Sequence, residues 1–157
     1  MMQAAAGGGE VSQDDSFESF SGGVPDGWTD TSAGPDNGPG VTQSTSTGVT
    51  DGSSAVGMIG DGSSLIADEG CSIEKDFDLT DVSQIAVDYT QIKAGLNSRI
   101  AAGSTSTLVS GTGTKTLNVS GETGIQTVTL QVSTPTGDGK NSQSYDFEVY
   151  FDNLVFT

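Results

Sequence analysis

The stretch SYDFEVYFDNLVF, residues 144–156, decides the fold. Tyr145, Phe147, Val149 and Phe151 recur at every second position, with Asp146, Glu148 and Asp152 in the opposite phase. A period of two builds a strand with one buried and one wet face. After Phe151 the phase slips. Leu154 and Phe156 continue the apolar series one residue out of step, with Asp152-Asn153 at the slip. An extra residue there predicts a bulge or a carboxylate tethered at the break.

Working outward, residues 125–133 repeat the pattern, with Val128, Leu130 and Val132 inward and Thr127, Thr129 and Gln131 outward. Residues 84–92 alternate through Ile85, Val87 and Tyr89. Further strands are expected at 16–21, 41–47, 54–59, 72–79, 99–102, 107–110 and 114–120. Turn residues separate them: the loop 34–40 (GPDNGPG), Asp51-Gly52, residues 61–64, Ser120-Gly121 and residues 137–141. No segment carries helical periodicity, although residues 79–85 have room for one turn. Short strands with turn signals about every 8–12 residues predict an all-β chain, an antiparallel β-sandwich of jelly-roll type.

Residues 1–13 are rich in Gly and Ala and have nothing to bury. They are expected to form an extended N-terminal arm that orders only against a neighbouring subunit. Residues 14–157 then make one β-sandwich domain, long enough to bury about two thirds of its unfolded surface.

Five Lys and Arg stand against 21 Asp and Glu, a net charge of −16, and there is no His. Residues 1–74 hold 12 of those carboxylates and no basic residue. Nucleic acid and anionic membrane are excluded as partners, because both demand a cationic patch. No window reaches the roughly 18 apolar residues of a membrane span. Self-repulsion on this scale destabilises a compact chain, and molar salt, with a Debye length of about 3 Å, removes most of it. The balance fits a protein of a halophile or its viruses; a calcium-rich extracellular setting is the competing explanation. The start MMQAAAGGGEVSQDD has neither a basic region nor an apolar stretch of signal-peptide length, so no signal peptide is expected.

Catalytic apparatus is missing from the sequence. Without His there is no Ser-His-Asp or Cys-His centre and no imidazole zinc site, and Cys71 has no second thiol to share a metal or a disulfide. The glycines follow turns and open no phosphate-binding helix. Two carboxylates can hydrolyse a glycosidic bond, but among 21 acids such pairs arise by chance. The chain is read as a non-enzyme. Asp76, Asp78 and Asp81 lack the glycine and terminal Glu of an EF-hand and read as a solvated turn; the sequon Asn118-Val119-Ser120 is treated as chance. Sugar recognition needs aromatic platforms beside hydrogen-bonding groups. Trp28, in a loop, and Tyr150, out of phase with the core, are the two candidates for carbohydrate binding.

Four motifs carry a resemblance to carbohydrate-binding-module and galactose-binding-like sandwiches. They are Phe17-Glu18 followed by Pro25, Gly27 and Trp28, then DFDLTDVSQIAVDYT at 76–90, TLNVSGETGIQTVTLQV at 116–132, and YFDNLVF at 150–156. The resemblance spans residues 14–157 and implies a jelly roll. It also implies a structural calcium tying the first strand to the last, with Glu18 and Asp152 as its side-chain ligands and carbonyls or water filling the rest of the shell. Similar sandwiches decorate surface proteins and the capsids and tails of viruses.

The functional expectation is a non-catalytic virion structural protein of a halophile's virus: a capsid decoration, turret or tail component at the virion surface. It would act as a homo-oligomer or against other virion proteins, and against host-surface glycans. The alternative is a carbohydrate-binding module or an extracellular adhesion domain.

Overall fold

The computed structural model describes residues 13–33, 40–65, 69–93, 96–134 and 143–157. Residues 1–12 of the expected arm, most of the loop 34–40 and the turn 137–141 lie outside the described residues. Among those residues there are twelve strands and no helix: β1 (Phe20–Ser21), β2 (Val24–Pro25), β3 (Thr29–Asp30), β4 (Gly40–Ser44), β5 (Ala55–Leu65), β6 (Gly70–Asp78), β7 (Gln84–Lys93), β8 (Asn97–Ala102), β9 (Thr105–Val109), β10 (Gly113–Asn118), β11 (Ile125–Ser133) and β12 (Gln143–Phe156).

Two five-stranded antiparallel sheets form the sandwich, in the orders β10-β7-β12-β5-β4 and β3-β6-β11-β8-β9. The most regularly alternating segments, β7, β11 and β12, fall in the interior of their sheets, where alternation pays off most because both neighbours must match the same phase. Met58, Ile73, Ile85, Val87, Ile100, Leu130, Phe147 and Phe151 fill the space between the sheets. Each is removed from water for about 1.5–3 kcal/mol of gross gain. Tyr89 lies in the same layer, and its hydroxyl meets Ser98 Oγ at 2.7 Å, so this buried phenol is satisfied.

The slip in β12 is a bulge. Asp152 pairs with Asp88 and Val155 with Ala86, so one extra residue is accommodated on β12, and Asn153 takes φ 49°. The bulge turns Asp152 into the protein and restores Leu154 to the core. The expected turn at 61–64 is instead strand, because β5 continues alongside β12, with Ser63 opposite Tyr145 and Leu65 opposite Gln143. Residues 79–85 hold no helical turn; Thr80-Asp81 is a tight turn with Asp81 at φ 65°.

Candidate functional site

One end of the sandwich is closed by an aromatic plug. Trp28 packs on Phe17 (5.6 Å between ring centres) and on Phe77 (5.8 Å), and Phe77 on Phe156 (4.6 Å). The indole N–H donates to Asp15 Oδ2 at 2.9 Å, and the same oxygen holds Lys75 Nζ at 2.8 Å. Lys75 lies over the Phe77 ring at 5.1 Å, in cation–π range. β6 starts this cluster by placing Ile73, Lys75 and Phe77 in one inward phase.

Trp28 is only 7 % exposed, a plug and no platform. Tyr150 does point out of the β10-β7-β12-β5-β4 sheet, but it is 6 % exposed. Its ring lies across Gly57, its partner on β5, and Gly48 sits directly on it; a Cβ at Gly48 would overlap Tyr150 Cβ. The hydroxyl donates to Glu148 at 2.8 Å. Burial, and then the hydrogen bond and charge of Glu148, push the phenol up to about 12. Neither ring offers an open face, which corrects the expectation of Trp28 and Tyr150 as stacking platforms.

Glu18 and Asp152 are both drawn to one loop, TDGSS at 50–54. Asp152, with no exposed surface, accepts from Thr50 N (2.6 Å) and Asp51 N (2.8 Å) at Oδ2 and from Asn153 N (2.8 Å) at Oδ1, while the Thr50 hydroxyl, 3.1 Å from Oδ2, shares its one proton between Asp152 and the nearer Asp88. Glu18 accepts from Ser53 N at both carboxylate oxygens (2.8 and 2.9 Å), from Ser53 Oγ (2.6 Å) and from Ser54 N (3.1 Å). These bonds, that of the Ser53 hydroxyl foremost, hold the Glu18 carboxyl below its ordinary range. Asp88 lies beside Asp152, with which it shares the Thr50 hydroxyl, and also accepts from Thr114 and Asn153. Burial works to raise its pKa, and the three hydrogen bonds together outweigh it and leave it lowered.

This donor set does not fit calcium. Every carboxylate oxygen of Glu18 and Asp152 already faces an N–H or O–H donor, and among the described residues no three acidic, His or Cys side chains gather to hold a metal.

The face that remains open is the outer side of β3-β6-β11-β8-β9. Directly paired residues share a face. The register therefore sets Thr29, Glu74, Thr129, Ala101 and Ser106 in one row, Asp76 and Thr127 in the next. A cleft of about 490 Å³ opens here, lined by Gly27, Thr29, Glu74, Lys75, Asp76 and Thr127. That volume falls within the roughly 300–1,000 Å³ of small-molecule sites. Thr127 Oγ1 donates to Asp76 at 2.7 Å and Thr129 Oγ1 to Glu74 at 3.3 Å, which fixes both carboxylates. The sequence marks Thr127 and Thr129 as outward; it gives no sign that Glu74 and Asp76 stand opposite them.

No ring lies on this face. Phe17, Trp28, Phe77, Tyr89, Phe147 and Phe151 are in the core, Phe20, Tyr145 and Phe156 pack against it, and Tyr150 is beneath its loop.

Comparison with family models finds no match, and a search of curated proteins finds none. Solved structures do match. The adhesin domain K1 of Lys-gingipain from Porphyromonas gingivalis superposes with a TM-score of 0.60 at 14 % identity, over 94 % of this chain and 98 % of that one. The module TmCBM61, solved with β-1,4-galactotriose, gives 0.55 at 16 % identity, over 83 % and 87 %. The family 11 carbohydrate-binding module of Clostridium thermocellum, solved with a β-1,3-1,4-mixed-linked tetrasaccharide, gives 0.55 at 12 % identity, over 90 % and 92 %. The chain therefore has the β-sandwich fold of carbohydrate-binding modules and galactose-binding-like domains, as its motifs suggest. Among the described residues no helix is long and apolar enough to cross a membrane.

Proposed function

We propose that this protein is a non-catalytic binding module that holds a glycan, in an extracellular or surface setting, on the open face of the β3-β6-β11-β8-β9 sheet. The cleft lined by Thr29, Glu74, Asp76 and Thr127 carries the proposal. Its fixed carboxylates accept hydrogen bonds from sugar hydroxyls, and charge-assisted bonds of this kind are the stronger ones. Of the charged residues lining the cleft, Glu74 and Asp76 outnumber Lys75, which Asp15 already pairs, so the cleft favours an uncharged glycan over a uronate or sulfated one. With no ring to stack on, binding rests on hydrogen bonds and is shallow. The fold likenesses support this reading. The virion role rests on the acidic balance and the arm, and its homo-oligomer on the arm alone.

Affinity electrophoresis through gels containing β-1,4-galactan or mixed-linked β-glucan tests the proposal. A glycan should retard the protein, and Glu74→Gln with Asp76→Asn should abolish retardation while leaving the melting temperature near that of the parent. Free migration through every uncharged glycan tried, or retardation indifferent to the double substitution, refutes it.

A further inference from the structure

We infer that the loop at 50–54 is closed by peptide and hydroxyl donors in place of a cation, although its two clamping carboxylates stand where the resemblance puts calcium ligands. A hard cation needs about six to eight oxygen lone pairs converging on one point. Here the groups converging on the carboxylates carry the opposite polarity. Three backbone N–H groups and the Thr50 hydroxyl face Asp152, and two backbone N–H groups and the Ser53 hydroxyl face Glu18. A cation bound to Asp152 Oδ2 would meet the positive ends of the Thr50 and Asp51 amides, which lie 2.6 and 2.8 Å from that oxygen.

Among the described residues, the side-chain oxygens gathered without an intervening N–H are few. Thr50 Oγ1 lies 2.7 Å from Asp88 Oδ2 and 3.1 Å from Asp152 Oδ2, and three oxygens are about half of the smallest calcium shell.

The loop sequence is suited to the task it performs. Gly52 takes φ 66°, and a Cβ there would fall on the Glu18 carboxylate, so the turn that aims the Ser53 and Ser54 amides at Glu18 calls for glycine. Thr50 and Ser53 add hydroxyl donors at the two ends. Donors thus surround Asp152 in a site without solvent, as a buried carboxyl group requires. The clamp has a second effect. It holds down the chain leading from Gly48, which covers Tyr150, and so keeps that side of the sandwich shut.

Thermal melts of the intact chain, in excess EDTA and in millimolar calcium with magnesium at equal ionic strength as the screening control, test the inference. The melting temperature should be the same in calcium as in magnesium, and terbium should give no saturable sensitised emission. Glu18→Gln should lower the melting temperature by the same amount with and without calcium. A calcium-specific rise in the parent that Glu18→Gln abolishes, or saturable terbium emission, overturns it.

Discussion

Asp152→Asn isolates what the buried carboxylate does, because the substitution changes almost no volume. An amide supplies one acceptor oxygen and one NH2 group. If its oxygen takes the Oδ2 position and serves Thr50 and Asp51, the NH2 points at the Asn153 N–H; the flipped amide abandons both of the other amides. At least one buried donor is left unpaired, at about 1–3 kcal/mol. The remaining bonds lose their charge assistance, at about 1 kcal/mol each before relaxation. A net loss of about 3–5 kcal/mol follows, the size seen when one partner of a buried charged network is removed. At about 2–4 °C per kcal/mol for a chain of this length, the melting temperature falls by about 6–20 °C. Calorimetry or circular dichroism measures it directly. A variant that melts with the parent would mean that Asp152 does not hold the loop, and both the clamp and the account of its polarity would go with it.

Tyr150 should ionise near pH 12, well above the 10.0 of a free phenol, and a spectrophotometric difference titration against Tyr150→Phe will isolate it. Because the folded chain favours the protonated phenol, the associated stability is fully present below pH 10.0 and is lost as pH rises from there through about 12. Gly48→Ala should destabilise the protein. It places a side chain at φ 78°, at a cost of about 1–2 kcal/mol, and drives a Cβ into Tyr150; an unchanged melt would mean that the loop does not lie on the ring. With a net charge of −16, thermal stability should rise as sodium chloride goes from millimolar to molar. A flat response would remove the halophile interpretation.

Much of the fold was legible because alternation is clear in β7, β11 and β12, each with a neighbour on both sides. Ile85, Val87 and Tyr89 in β7, and Val128, Leu130 and Val132 in β11, all face the core as their phase requires. The break at Asp152-Asn153 was legible too, since only an added residue returns Leu154 to the buried side. Residues 61–64 misled because Asp, Gly and Ser signal turns locally, whereas the backbone of β12 supplies the pairing that keeps β5 extended as far as Leu65. β3, at two residues, is too short to carry a period.

The site was less legible, and for a related reason. Burial of Tyr150 depends on Gly48, about a hundred residues away in the chain, and on a glycine opposite it in β5; a strand pattern reports only the phase of a side chain, never what later lies on top of it. The same ignorance hides the cleft, because the rows that join Glu74 to Thr129 and Asp76 to Thr127 exist only once β6 and β11 have paired. Together these two facts decide which side of the sandwich is available. On one sheet, the chain around Gly48 covers the outward ring, and carboxylates fasten the loop that follows. On the other, short hydroxyl and carboxylate side chains stand in register beside an open cleft. A ligand that needs the Tyr150 ring must first dislodge a loop held by seven hydrogen-bond contacts, whereas one that needs only hydrogen bonds meets a face already arranged for it. The proposed glycan contact therefore falls on the open polar face and not on the aromatic residues.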